Sequence, residues 1–157
     1  QISMISGTFG KAFGSGGAFL ACDNELGEQL LQNSGSFRYT TALAPSLAAG
    51  ALAALTLIKK NPCWGERLIE EAQEWREILK KNGWEIPKGE GPILSLIAGS
   101  DKRALSLENQ LESSGIASIA IRPPTVPEGS SRIRIVLRRG LPKGTLNKVI
   151  DALKEKK

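Results

Sequence analysis

The sequence predicts an α/β fold, and two observations support this prediction. Short apolar, β-prone segments alternate along the chain with longer segments in which apolar residues recur at helical spacing. The region 83–157 follows the order β-α-β-β-α, which is typical of a compact α/β unit. Of the 157 residues, 41% are hydrophobic and 24% are charged, a balance typical of globular proteins that excludes disorder throughout.

The first two predicted strands enclose a glycine-rich loop. Residues 2–6 are apolar and β-prone and end at Gly7, which predicts a short buried strand. Residues 18–22 predict a second short strand. The segment 7–17 contains five glycines in eleven residues, so we expect a loop with backbone conformations that other residues avoid.

Three segments between 24 and 81 predict helices that differ in their apolar faces. Residues 24–32 have apolar or small residues at helical spacing behind a capping residue. Residues 46–60 are apolar on nearly every side, which predicts a buried helix. Residues 64–81 are strongly charged with one apolar stripe, and an Asn-Gly pair follows them as a stop signal.

The remaining elements form the α/β unit in the last part of the chain. Its strands are apolar, β-prone runs, and a glycine ends its first helix. The predicted strands are 92–98, 116–121 and 132–137, and the predicted helices are 102–113 and 143–154.

Composition excludes several classes of function. Histidine is absent, which removes histidine-based triads, histidine general bases and most zinc sites, so no metal site is predicted. Cys22 and Cys63 are not in a CxxC spacing and fit reduced thiols in the cytoplasm. The net charge of +5 is dispersed, without a basic groove interleaved with aromatic residues, so only the charge favours nucleic acid.

The sequence shows no sign of membrane insertion or export. No apolar run reaches the roughly 18–20 residues that a membrane-spanning helix needs. No charged leader followed by a cleavage site is visible. We therefore expect a cytoplasmic protein with neither a membrane nor a nucleic-acid partner.

The glycine-rich loop carries one lysine, Lys11, which two common glycine motifs do not explain. A P-loop needs Ser or Thr after the lysine, where this chain has Ala12, and a dinucleotide fingerprint needs glycine where it has Phe19. A solvated lysine on a surface turn is one interpretation. The other is an amine among apolar neighbours, able to form a Schiff base with an aldehyde.

Four segments in this order match one family: 7–14 around Lys11, 37–45, 121–127 and 132–135. They resemble the α-oxoamine synthases, fold-type-I enzymes that use pyridoxal 5'-phosphate (PLP) to condense an amino acid with an acyl thioester, with loss of CO2. The resemblance covers essentially the whole chain. It implies the C-terminal part of a fold-type-I PLP-dependent transferase.

The resemblance assigns roles to four residues near the loop. Lys11 would carry PLP and act as the proton carrier at the substrate Cα. Thr8 would form a hydrogen bond with the cofactor. Thr40 and Thr41 would contact the cofactor phosphate of the neighbouring subunit, which implies a homodimer with shared sites; an ordinary turn or helix cap is the alternative for this pair.

Further residues match substrate contacts of the family. Arg122 and Arg134 are both candidates for the substrate carboxylate, because a guanidinium can bind a carboxylate through two parallel hydrogen bonds. Arg132 lies on the same strand face as Arg134 by alternation, so one of the two could instead pair with a surface acid. Thr125 matches a substrate-contacting threonine, with a plain turn residue as the alternative.

The Arg-Pro-Pro form of the segment 121–127 favours one substrate pair within the family. It resembles the members that use L-alanine and a pimeloyl thioester, carried by coenzyme A or by an acyl carrier protein. Glycine or serine as the amino acid remains an alternative inside the family. A non-catalytic remnant domain is the alternative outside it.

The match also has gaps. The family's ring-stacking histidine, the aspartate that holds the pyridine nitrogen and a histidine near the ring oxygen all lie before the lysine, where this chain has ten residues and no histidine. A histidine common after the strand of Arg134 is absent as well. We therefore expect the C-terminal part of a longer enzyme, inactive alone and with an exposed apolar patch.

Three regions follow from the match. Residues 1–45 would be the end of the PLP-binding large domain with the cofactor lysine, 46–82 the linking helices, and 83–157 the small α/β domain.

Overall fold

The computed structural model describes residues 2–154, and the chain divides into two compact units between Pro62 and Cys63. The first unit contains β1 (Met4–Thr8), β2 (Ala18–Cys22), α1 (Asn24–Asn33), α2 (Gly35–Arg38) and α3 (Pro45–Lys60). The second contains α4 (Trp64–Lys81), β3 (Ile93–Gly99), α5 (Asp101–Ser113), β4 (Ile119–Ile121), β5 (Ser131–Val136) and α6 (Thr145–Ala152). Residue 1 and residues 155–157 of the predicted regions lie outside the described part.

The first unit is built on a β-hairpin. Strands β1 and β2 pair antiparallel, with Met4 opposite Cys22 and Thr8 opposite Ala18. Asp23 caps α1 because its carboxylate accepts a hydrogen bond from the backbone N–H of Leu26 at 2.8 Å. The hairpin therefore places the glycine-rich loop at one end and the start of α1 at the other.

The first unit has little buried core among the described residues. The prediction that 46–60 forms a buried helix is wrong in its burial, since Ala51 is the buried residue of α3 and Leu52 is 65% exposed. The predicted buried strand at 2–6 is likewise exposed as β1. The apolar composition of α3 and β1 suggested burial, but the described elements around them are too few to cover their faces.

The second unit has a three-stranded sheet and one hydrophobic core. The strand order is β3-β5-β4, with antiparallel pairing throughout. Alternation along β5 buries Ile133 and Ile135 on one face and leaves Arg132 and Arg134, both half-buried, on the other. Helices α4, α5 and α6 and the residue after α6 contribute much of the rest of the core. Their core residues include Ala72, Trp75, Leu79, Leu107, Leu111, Val149 and Leu153.

Two polar features hold the second unit together at its edges. Arg76 of α4 is 3% exposed, and its Nη2 donates to the carbonyls of Gly91 and Ile93 at the start of β3. After α5, Gly115 adopts a left-handed φ of 73°, and the N–H of Ile116 returns to the carbonyl of Leu111 at 2.9 Å. No helix among residues 2–154 is long and apolar enough to cross a membrane.

Candidate active site

Lys11 lies at the end of the hairpin, in a loop that its own backbone closes. The N–H of Phe9 donates to the carbonyl of Gly17 at 2.9 Å, and the N–H of Ser15 donates to the carbonyl of Phe9 at 2.9 Å. The N–H of Gly14 donates to the carbonyl of Lys11, again at 2.9 Å, and Gly14 has a left-handed φ of 58°. Lys11 itself is exposed, so the loop presents its amine to solvent.

Thr8 fastens the base of this loop. Its hydroxyl donates to the carbonyl of Gly17 at 3.3 Å and accepts from the N–H of Gly10 at 3.1 Å. These bonds span the point where β1 enters the loop and β2 leaves it. The residue predicted to contact the cofactor therefore orders the loop that carries Lys11.

The phenylalanines beside Lys11 pack on one another. The rings of Phe9 and Phe13 meet edge to face with centroids 5.2 Å apart, and Phe9 lies 5.5 Å from Phe19. A cleft of about 490 Å³ adjoins them. It is lined by Phe9, Phe13, Phe19, Leu43, Ala48, Ala51, Leu52 and Leu55.

Thr40 and Thr41 lie in the exposed connection between α2 and α3. Within residues 2–154, neither hydroxyl has a hydrogen-bond partner. The guanidinium of Arg38 lies 5.7 Å from the ring centroid of Tyr39, a residue that is 82% exposed. The two hydroxyls are thus free to bind a ligand or a neighbouring chain.

Arg134 and Arg132 share the outer face of β5 but differ in their bonding. The Nε of Arg132 donates to the carbonyl of Ser130 at 3.0 Å. The Nε of Arg134 is shielded from solvent and has no hydrogen-bond partner among the described residues. In the sheet register, Arg134 lies between Ser95 of β3 and Ile119 of β4. The central strand of the sheet thus carries a guanidinium whose Nε has no hydrogen-bond acceptor among the described residues.

Arg122 and Thr125 form one exposed turn after β4. The N–H of Thr125 donates to the carbonyl of Arg122 at 3.0 Å, across the Pro123–Pro124 pair, whose peptide bond is cis. Of the predicted site residues, Lys11, Thr8, Thr40 and Thr41 belong to the first unit. Arg122, Thr125 and Arg134 belong to the second.

Two contacts near these sites were not predicted from the sequence. The Ser15 hydroxyl of the lysine loop donates to the carbonyl of Leu47 at 2.6 Å. The Arg139 guanidinium stacks over the ring of Trp64 with 3.6 Å to its centroid, in the segment where the resemblance had placed a histidine. Both contacts join residues far apart in sequence, so no local pattern indicated them.

The chain thus joins a lysine on a glycine-rich hairpin loop to an α/β unit with a half-buried arginine on its central strand. Residues 2–153 match the family Aminotransferase class I and II, and the chain belongs to this family. The predicted fold class, the C-terminal part of a fold-type-I PLP-dependent transferase, is confirmed, and with it PLP as the cofactor of the family.

Curated relatives give a more particular similarity. The chain is 37% identical over 147 residues to a putative 8-amino-7-oxononanoate synthase of Geobacillus kaustophilus, which covers 94% of the chain and 38% of the relative. It is 37% identical over 155 residues to 8-amino-7-oxononanoate synthase of Stutzerimonas stutzeri, covering 99% of the chain and 40% of the relative. The chain therefore spans about two fifths of the length of these relatives.

Solved structures agree on the fold. The chain superposes on 8-amino-7-oxononanoate synthase from Francisella tularensis with a TM-score of 0.81 and 25% identity, over 96% of the chain and 43% of that structure. Serine palmitoyltransferase of Sphingomonas wittichii gives a TM-score of 0.88 at 20% identity, over 96% and 38%. The second likeness shows the fold alone. The resemblance to the α-oxoamine synthases is thereby confirmed.

Proposed function

We propose that this chain supplies the lysine loop and the small domain of an 8-amino-7-oxononanoate synthase, an enzyme of biotin biosynthesis. The reaction would join L-alanine to a pimeloyl thioester carried by coenzyme A or by an acyl carrier protein. The observation that carries the proposal is Lys11, exposed at the end of a loop that Thr8 and the backbone hold closed. A curated relative of that name aligns over 155 residues, 99% of this chain, which includes the loop.

The donor set of the first unit fits PLP in part. Lys11 offers a primary amine for the aldehyde carbon, and Thr40 and Thr41 offer two unpartnered hydroxyls for the phosphate. Bound PLP supplies an electron sink at the amino acid Cα. The family residues that contact the pyridine ring belong to the part of the relatives that this chain does not match.

Arg134 is the residue best suited to hold the alanine carboxylate. Its guanidinium has the geometry for two parallel charge-assisted hydrogen bonds, and β5 fixes its backbone between two neighbouring strands. Arg122 and Thr125 would contact substrate from the exposed turn. Lys11 would take the Cα proton, the Cα would attack the thioester carbonyl, and the thiolate would leave. The alanine carboxyl group would then leave as CO2, and Lys11 would return a proton to the Cα, which keeps the electron pair of the broken bond.

Subunit sharing follows from the assigned role of Thr40 and Thr41. If their hydroxyls reach the phosphate bound to a neighbouring subunit, the functional form is a homodimer with shared sites. We also propose a cytoplasmic location, and the three regions 1–45, 46–82 and 83–157 as end of the large domain, linking helices and small domain.

Product analysis tests the function directly. The polypeptide that carries these residues, isolated with PLP, should convert L-alanine and pimeloyl thioester to 8-amino-7-oxononanoate and CO2. Lys11→Ala should abolish the product, while Lys88→Ala at an exposed lysine of the second unit should leave it unchanged. Turnover with glycine or serine instead of alanine would assign another α-oxoamine synthase, and product formation by Lys11→Ala would overturn the proposal.

A further inference from the structure

We propose that Ser15 is a positioning residue that holds the Lys11 loop against α3 and so fixes the position of Lys11. The inference rests on the proposed function, because it concerns the placement of the lysine assigned to the cofactor. Ser15 has no assigned role in the resemblance. Its side chain makes a contact that links two elements 32 residues apart in sequence.

One hydrogen bond joins the side chain of Ser15 to α3. The Ser15 hydroxyl donates to the carbonyl of Leu47 at 2.6 Å. Leu47 is in the first turn of α3, where a carbonyl has a second lone pair free beside its helical bond. The bond therefore ties the loop to the helix without disrupting the helix.

The loop also approaches the start of α3 closely. A Cβ at Gly50 would lie 3.4 Å from the Ser15 hydroxyl, and one at Gly16 would lie 3.1 Å from the Leu47 side chain. Gly17 has a φ of 92°, and a Cβ there would lie 2.9 Å from Leu43. These glycines allow the loop backbone to rest directly on the residues around the start of the helix.

Ser15 is also linked through its backbone to the segment that carries Lys11. The N–H of Ser15 donates to the carbonyl of Phe9 at 2.9 Å, and Lys11 lies between these two residues. Ser15 is thus bonded by its backbone to the far side of the loop and by its side chain to α3. A change in its side-chain bond reaches the segment that carries the amine.

The contact between the loop and α3 also reaches the chain just after Thr41. Leu43, which touches Gly17, is two residues after Thr41, and the carbonyl of Ala44 accepts the N–H of Leu47 at 2.9 Å. The start of α3 therefore fixes the chain just after the threonines. Because Thr40 and Thr41 are assigned to the phosphate of the neighbouring subunit's cofactor, the same contact would also hold them in place for the second site of the dimer.

The test compares Ser15→Ala with Ser15→Thr, which keeps the hydroxyl, and with Ser3→Ala, an exposed serine of the same unit. The variants are made in the polypeptide that carries this chain. Titration of the apoprotein should show PLP affinity reduced roughly 2- to 10-fold in Ser15→Ala, as expected for one hydrogen bond. Ser15→Thr should recover most of it, and Ser3→Ala should match the wild type.

Amide hydrogen exchange separates positioning from general destabilisation. Ser15→Ala should raise exchange in 9–17 and at the start of α3, with exchange in the second unit unchanged. Equal PLP affinity and equal loop exchange in Ser15→Ala and Ser3→Ala would overturn the inference while leaving the proposed function intact. A wild-type protein that binds no PLP at Lys11 would overturn both.

Discussion

Arg134 and Arg132 offer a matched pair for testing which guanidinium binds the substrate carboxylate. They lie two residues apart on the same face of β5, so their variants alter the same strand in the same way. Arg132 already uses its Nε on the carbonyl of Ser130, whereas Arg134 has no such partner within residues 2–154. We predict that the carboxylate is bound by Arg134.

The expected loss of alanine affinity follows from losing one of the two parallel hydrogen bonds between the guanidinium and the carboxylate. Arg134→Lys keeps the positive charge but replaces a planar two-donor group with a point charge. Losing one hydrogen bond to a charged group costs roughly 1.5–3 kcal/mol, which is about 10- to 150-fold in alanine affinity. Arg132→Lys should change alanine affinity by less than about threefold, since the Nε of Arg132 is already bonded to the carbonyl of Ser130.

The assay measures the two substrates separately. The alanine dissociation constant is read from the absorbance change of the bound cofactor, and KM values are measured for alanine and for the pimeloyl thioester. Arg134→Lys should raise the alanine constants and leave the thioester KM nearly unchanged. An equal or larger alanine effect in Arg132→Lys would refute the assignment of Arg134.

Three further predictions follow from the structure. Arg76→Met should lower the free energy of unfolding by about 1–3 kcal/mol relative to Arg67→Met on the exposed side of α4, because the carbonyls of Gly91 and Ile93 lose their donor. Equal denaturant midpoints would contradict this. Mixed dimers of Lys11→Ala with a Thr40→Ala, Thr41→Ala double variant should regain activity that neither homodimer has, and no recovery would argue against shared sites. The 157-residue chain alone should bind a hydrophobic dye and aggregate, whereas a dispersed NMR spectrum of a soluble monomer would contradict the exposure of its first unit.

Much of the second unit could be predicted because its local signals agree with its packing. Alternation placed a strand at 132–137, and the structure has β5 at Ser131–Val136. The strand predicted at 116–121 is shorter, Ile119–Ile121, because the N–H of Ile116 is used to close the end of α5. The helix predicted from 143 begins at Thr145, since Gly144 adopts a left-handed φ of 81°.

In the first unit, burial and long-range contacts could not be predicted from sequence patterns. Apolar composition predicted burial of α3 and β1, but burial depends on which elements cover a face, and composition carries no information about them. The motif around Lys11 indicated that residue, whereas the Ser15–Leu47 bond joins residues 32 positions apart, which no local sequence pattern can show. The assigned roles of Thr40 and Thr41 stay a prediction.

Borohydride reduction of the native protein tests the central claim most directly. The polypeptide that carries these residues is reduced with its cofactor bound, digested, and its peptides are mapped by mass. The account predicts a pyridoxyl group on Lys11 and on no other lysine, and no such group in Lys11→Ala. A pyridoxyl group on a different lysine, or none in a protein that makes the product, would contradict the account.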